Sequence, residues 1–113
     1  MTRTLPLEQV KDVKRLYLGG NPLPSLFPVS AFFNLIHLEL AFARLQELPA
    51  NLSKLIPNVR VLDLNFNFLD DLSPLHGLTR LRKLTVMSNR VAKARPLIEL
   101  LRTLPELEVL DLR

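Results

Sequence analysis

The chain has 113 residues, 48% of them apolar, with 28 leucines, no tryptophan, no cysteine and a net charge of +4. That length supports one ordinary core and excludes two independent ones. The lack of cysteine excludes a disulfide scaffold, a zinc finger and a thiol nucleophile, and fits a reducing compartment.

The elements follow from the leucine spacing. Leu7, Val10 and Val13 predict a short helix over 6–12 leading into a first strand. An apolar residue, two others, Leu, one other and a further apolar residue then recur five times: VKRLYL at 13–18, LIHLEL at 35–40, VRVLDL at 59–64, LRKLTV at 81–86 and LEVLDL at 107–112. Their starts lie 22, 24, 22 and 26 residues apart. The x-L-x-L alternation is that of a half-buried strand, and repetition places the five strands side by side and parallel. Asn21 with Leu23, Asn67 with Leu69 and Asn89 with Val91 follow three of the strands at one offset, whereas Ala43 with Leu45 follows the second. An amide side chain both donates and accepts, so these asparagines are expected to form a ladder satisfying the main chain where it turns inward.

The return segments differ. The second unit crosses back through LPANLSKLIPN and the third through LDDLSPLHGLTR, where Ser73 is the expected N-cap and Pro74 the first position of a short helix or 3-10 turn. In the fourth, Leu97, Leu100, Leu101 and Leu104 predict an amphipathic helix from about Pro96. Both termini read as cut rather than capped, so 1–113 is expected to be a single domain excerpted from a longer array.

These motifs resemble the leucine-rich repeat, L-x-x-L-x-L-x-x-N-x-L. The unit at 59–80, with Val59, Leu62, Leu64, Asn67, Leu69, Leu72, Leu75 and Leu78, resembles the short intracellular class of twenty-two residues. The fold expected is an α/β leucine-rich-repeat solenoid, with a parallel inner sheet of about five strands and short helices or 3-10 turns on the convex side. Residues 59–113, through NFNFLDDLSPL, SNRVAKARPLIELL and LPELEVLDLR, also resemble the repeat domain of the fungal spindle-pole-body scaffolds of the septation initiation and mitotic exit networks. That resemblance implies a non-enzymatic platform in the cytoplasm at the spindle pole, with a small GTPase and kinase complexes as partners. Regulatory subunits of phosphatases, tubulin-folding cofactors and spliceosomal repeat proteins use similar repeats and stand as alternatives.

Catalytic signals are weak. The five serines lie in no Gly-x-Ser-x-Gly elbow, and Gly19-Gly20-Asn21-Pro22 lacks the spacing and lysine of a phosphate loop. His37 and Glu39 share an outward strand face and can form either a His–carboxylate pair or a solvated polar pair. His76 reads as ordinary surface, and no spacing calls for a metal or cofactor. No run is long and apolar enough for a membrane span, and MTRTLPLEQVKD lacks the apolar core of an export signal.

The outward strand positions list a candidate protein-binding surface: Arg15, Tyr17, His37, Glu39, Arg60, Asp63, Arg82, Lys83, Thr85 and Met87. An acidic stripe of Glu39, Asp63 and Asp111 should lie beside a basic one of Arg15, Arg60, Arg82 and Lys83. This is either a self-neutralising surface or a mixed-charge groove for a protein, with Tyr17, Val61 and Met87 as apolar anchors. Residues 80–102 hold seven cations against Glu99. Within that stretch Arg80, Arg90, Lys93 and Arg95 are either a solvated face or a patch for an acidic or phosphorylated segment, since guanidinium holds both bidentately. Nucleic acid is disfavoured because no aromatics interleave with the cations. Phe42 and Phe66, at equivalent turn positions, are expected to pack in core fashion rather than form an exposed hot spot, and Phe68 and Phe32 more so.

Overall fold

Every x-L-x-L stretch becomes a strand of three residues in the computed structural model, which describes residues 12–22, 34–91 and 94–113. They are β1 (Arg15–Tyr17), β2 (His37–Glu39), β3 (Val61–Asp63), β4 (Lys83–Thr85) and β5 (Val109–Asp111). All pair parallel in one sheet of order β1-β2-β3-β4-β5. The central leucines Leu16, Leu38, Leu62, Leu84 and Leu110 occupy one register row and point into the core. The main-chain ladder continues past both strand ends. Arg60 N–H donates to the Ile36 carbonyl (2.7 Å) and Arg82 N–H to that of Arg60 (2.8 Å). In the turns, Phe42 N–H reaches the Asn65 carbonyl (3.0 Å) and Phe66 N–H that of Met87 (2.8 Å).

The first four strands end abruptly because each is followed by a left-handed residue at one fixed offset: Gly20 (φ 81°), Phe42 (φ 57°), Phe66 (φ 59°) and Ser88 (φ 54°). A residue at positive φ cannot continue an extended chain, so the backbone bends toward the convex side there. The expected amide ladder carries the bend. Asn67, buried, accepts from the N–H groups of Ala43 and Leu45 (both 3.0 Å) and donates to the carbonyls of Leu40 (3.0 Å) and Leu64 (2.9 Å). Asn89 accepts from Leu69 N–H (3.0 Å) and donates to Leu64 O (2.9 Å) and Val86 O (3.1 Å). Asn21 is exposed and reaches the carbonyls of its own turn, Leu18 and Gly19.

The convex side carries α1 (Leu52–Leu55), a 3-10 turn (Ser73–Leu75) and α2 (Ala94–Leu101). Two sequence expectations shift. Ser73 is the first residue of the 3-10 turn rather than its cap, a position held by Leu72, and Asp71 Oδ1 accepts the Ser73 N–H (2.9 Å). The amphipathic helix starts two residues before Pro96, which sits in a first turn where a missing N–H costs no bond. Leu100 and Leu104 are buried while Ile98 faces solvent. Gly77 (φ 96°) lets the third return segment lie against α1, where an added Cβ would meet Ser53 at 3.0 Å. The helix expected over 6–12, and Leu23, Phe32 and Lys93, lie outside the described residues.

The core is a stack of leucine layers between sheet and return segments. Leu35, Leu38, Leu40, Val59, Leu62, Leu64, Leu81 and Leu84 supply the sheet side, and Leu52, Ile56, Leu75 and Leu78 the convex side. Each fully buried side chain contributes about 1.5–3 kcal/mol from apolar burial. Leu62→Ala should therefore cost about 2–5 kcal/mol in urea unfolding. Asn67→Ala strands several buried main-chain groups and should cost about 3 kcal/mol, whereas Asn21→Ala should cost under about 1 kcal/mol by the same measurement.

Candidate functional site

The strand register sets the concave surface in rows. Arg15, His37, Val61, Lys83 and Val109 form one, and Tyr17, Glu39, Asp63, Thr85 and Asp111 the next. Lys14, Arg60 and Arg82 lie just before their strands and are exposed. Adjacent parallel strands stand about 4.8 Å apart, and of the ten surface residues expected from the sequence the register places Arg15, Tyr17, His37, Glu39, Asp63, Lys83 and Thr85 in these two rows, whereas Arg60 and Arg82 precede their strands and Met87 follows its own. Tyr17 is 59% exposed and its ring packs on that of His37 at 5.1 Å between centroids. Met87 is half-buried beyond β4.

The acidic stripe does something the sequence did not disclose. Glu39 Oε1 accepts from Ala41 N–H (2.7 Å) and Asp63 Oδ1 from Asn65 N–H (3.0 Å), each carboxylate closing the turn after its own strand. Asp111 does the same for Arg113 N–H (3.2 Å) and also pairs with the Arg113 guanidinium (2.8 Å). Hydrogen bonds from that side chain lead the effects that hold the Asp111 carboxyl below the ordinary carboxylate range. A Cβ on Gly19 would run into the Glu39 carboxylate and lie 2.9 Å from the Ala41 carbonyl. Gly19 is thus the floor on which Glu39 rests.

Two alternatives that the charge pattern left open are narrowed by these contacts. Among the described residues, Arg15, Arg60, Arg82 and Lys83 form no ion pair with Glu39 or Asp63, so the stripes do not neutralise each other by contact. The carboxylates are turned to their own backbone instead. The His37–Glu39 pair does not form as a catalytic couple either: His37 packs on Tyr17 while Glu39 caps its turn.

The basic segment divides. Arg80 joins Lys14 and Arg60 around a cleft of about 520 Å³ at the leading edge of the sheet, lined also by Asp12, Asn34, Ile36 and Asn58. Arg90 lies beyond the other end of β4, 5.1 Å from the centre of the Phe68 ring. Arg95 is exposed on α2, and Lys93 is outside the described residues. Strand β4 intervenes, so proximity in sequence does not make one patch. No helix among the described residues is long and apolar enough to cross a membrane, and no group of three or more His, Asp or Glu among them could hold a metal.

The sequence reading missed Asn65. It is nearly buried, and its Oδ1 accepts Met87 N–H (2.7 Å), adding a second amide rung between the third and fourth turns. The signal was the Asn65-Phe66-Asn67 spacing, which places two amides on one side of a turn. The expectation for the phenylalanines is corrected in part. Phe42 and Phe66 do pack on each other, stacked at 4.4 Å and 7°. They do so in solvent, 58% and 42% exposed, and Phe68 is 43% exposed, because their row lies outside the leucine layers.

A parallel sheet of five strands with amide-laddered turns defines a leucine-rich-repeat solenoid, and this chain is a leucine-rich-repeat domain. The family model for leucine-rich repeats in two copies matches residues 57–99. Among curated proteins, the chain is 38% identical over 102 residues to the septation initiation network scaffold protein cdc11 of Schizosaccharomyces pombe, covering 90% of this chain and 10% of that protein. It is 31% identical over 85 residues to leucine-rich repeat-containing G-protein coupled receptor 5 of Rattus norvegicus, covering 74% of this chain and 9% of the receptor. The chain thus spans about a tenth of these relatives. Among solved structures, an internalin (inlF) of Listeria monocytogenes superposes with TM-score 0.82 at 24% identity over 96% of this chain and 30% of the internalin, a likeness of fold. Internalin C2 of the same species superposes with TM-score 0.77 at 25% identity over 99% of this chain and 47% of that one.

If the carboxylates are turn caps, Glu39→Ala and Asp63→Ala should each lower stability by about 1 kcal/mol in urea unfolding. Unchanged stability would return both to the set of residues free to bind.

Proposed function

We propose that this domain is a non-enzymatic protein-interaction scaffold, serving at the spindle pole body in cytokinesis and mitotic-exit signalling. The observation that carries the reading is the 38% identity to the cdc11 scaffold across 90% of the chain. The concave face is the binding surface in this reading. Its main chain is locked by the parallel ladder, so binding must order side chains but not backbone. Arg15, Arg60, Arg82 and Lys83 are exposed there and unneutralised by Glu39 or Asp63. The partner chemistry they favour is an acidic or phosphorylated protein segment, of the kind a small GTPase or kinase complex presents. Tyr17 and Met87 add apolar contact and Thr85, between Asp63 and Asp111 in its row, polar contact.

Affinity purification of the intact protein with Arg82→Glu and Lys83→Glu combined tests this. Partner recovery should fall at least about tenfold while stability changes by less than about 0.5 kcal/mol, because both side chains are exposed and unpaired. Unchanged recovery would exclude the concave face. Loss of folding in step with binding would make the residues structural.

A further inference from the structure

We propose that the turn ridge of Phe42, Phe66 and Phe68, flanked by Arg44 and Arg90, is a second docking site, which takes an acidic segment of a partner protein carrying an aliphatic or aromatic side chain. It lies beyond the ends of the strands and goes beyond the concave surface argued above.

The first support is conformational. Phe42 and Phe66 occupy the left-handed position that the other turns fill with Gly20 and Ser88. A bulky side chain is disfavoured at positive φ, and glycine adopts it freely. The two rings gain no core burial in exchange, since both remain largely exposed. What they build is a solvent-exposed stack of two parallel rings with centroids 4.4 Å apart, which offers its edges and outer faces to a partner.

The second support is contiguity. Two residues further along each turn stand Arg44, Phe68 and Arg90, all exposed. Phe68 N–H donates to the Leu45 carbonyl and Arg90 N–H to that of Leu69, both at 2.8 Å, so these three residues lie in successive stacked turns. The Arg90 guanidinium covers the Phe68 ring at 5.1 Å. Three of the six phenylalanines of a leucine-built chain are therefore exposed in two adjacent turns, Phe42 and Phe66 as a stacked pair and Phe68 under Arg90. Aromatic and arginine side chains are the types that dominate binding hot spots.

Charge selects the occupant. Arg44 and Arg90 form no ion pair among the described residues. Asp70 lines the shallow cleft beside Phe68 and Arg90, together with Gln46, but does not pair with that guanidinium. A second copy of a chain of charge +4 would bring like charges together, whereas carboxylates flanking an apolar side chain would pair with both arginines while that side chain lies on the rings.

The test pans a phage-displayed library of random peptides of about 12 residues against the whole chain, then measures the selected peptide, fluorescein-labelled, by fluorescence polarisation. Selected peptides should carry Asp or Glu around Leu, Ile, Phe or Tyr. Phe42→Gly with Phe66→Gly should weaken binding at least about tenfold while the chain stays folded by circular dichroism, because glycine suits the left-handed position and offsets the lost ring stack. Arg44→Glu with Arg90→Glu should weaken it comparably, and remains a test if the glycine variant unfolds. Arg82→Glu with Lys83→Glu should leave it unchanged, which separates this site from the concave one. The proposal is overturned if no peptide is selected, if the peptides lack acids, or if both ridge variants bind like wild type. Dimerisation in analytical ultracentrifugation that Phe66→Gly abolishes would also overturn it, by making a second copy the occupant.

Discussion

The structure depends on one constraint: a chain that bends sharply after every three-residue strand must find partners for the main-chain groups it turns inward. Asn67 meets that need with a single side chain that bonds its own turn through Leu64 and the preceding turn through Leu40, Ala43 and Leu45. Because the amide reaches across units, each turn is satisfied only when its neighbour is stacked on it. Local geometry is thereby converted into long-range order, and the leucine layers, strand register and outward rows follow from that stacking.

The same constraint sorts the polar residues. Asn65, Glu39, Asp63 and Asp111 hold turn backbone and so belong in part to the scaffold. The cations Arg15, Arg60, Arg82 and Lys83 have no such duty and project from the concave face. Acidic and basic residues alternate in the sequence as though equivalent. In the structure the acids face inward to N–H groups because a carboxylate can accept from its own backbone two residues on, and a guanidinium cannot.

The repeat starts, the row assignments and the amphipathic helix of Leu97, Leu100 and Leu101 were legible because periodicity alone encodes them: a central leucine at a fixed offset allows one register. Leu104 falls past the helix end. Ser73 was misread as a cap because the 3-10 turn begins one residue earlier than its Ser-Pro signal suggests: Leu72 holds the cap position and Ser73 is already inside the turn, its N–H taken by Asp71. The basic run from Arg80 to Arg95 looked like one patch because sequence proximity ignores a strand that separates its two ends. Phe68 looked like core because it follows Asn67 in an apolar stretch, whereas the turn puts Leu69 inside and Phe68 outside.

The sequence by itself determined the class of fold, the number of strands and which side chains share a row, because each follows from spacing along one chain. Only the tertiary structure decided which charges are free, where the basic segment divides and that Phe42 and Phe66 stack in solvent with Phe68 exposed in the same turn as Phe66. Those outcomes depend on contacts between turns more than twenty residues apart, such as Asn67 with Ala43 and Leu45, and no local pattern carries the geometry by which such turns stack.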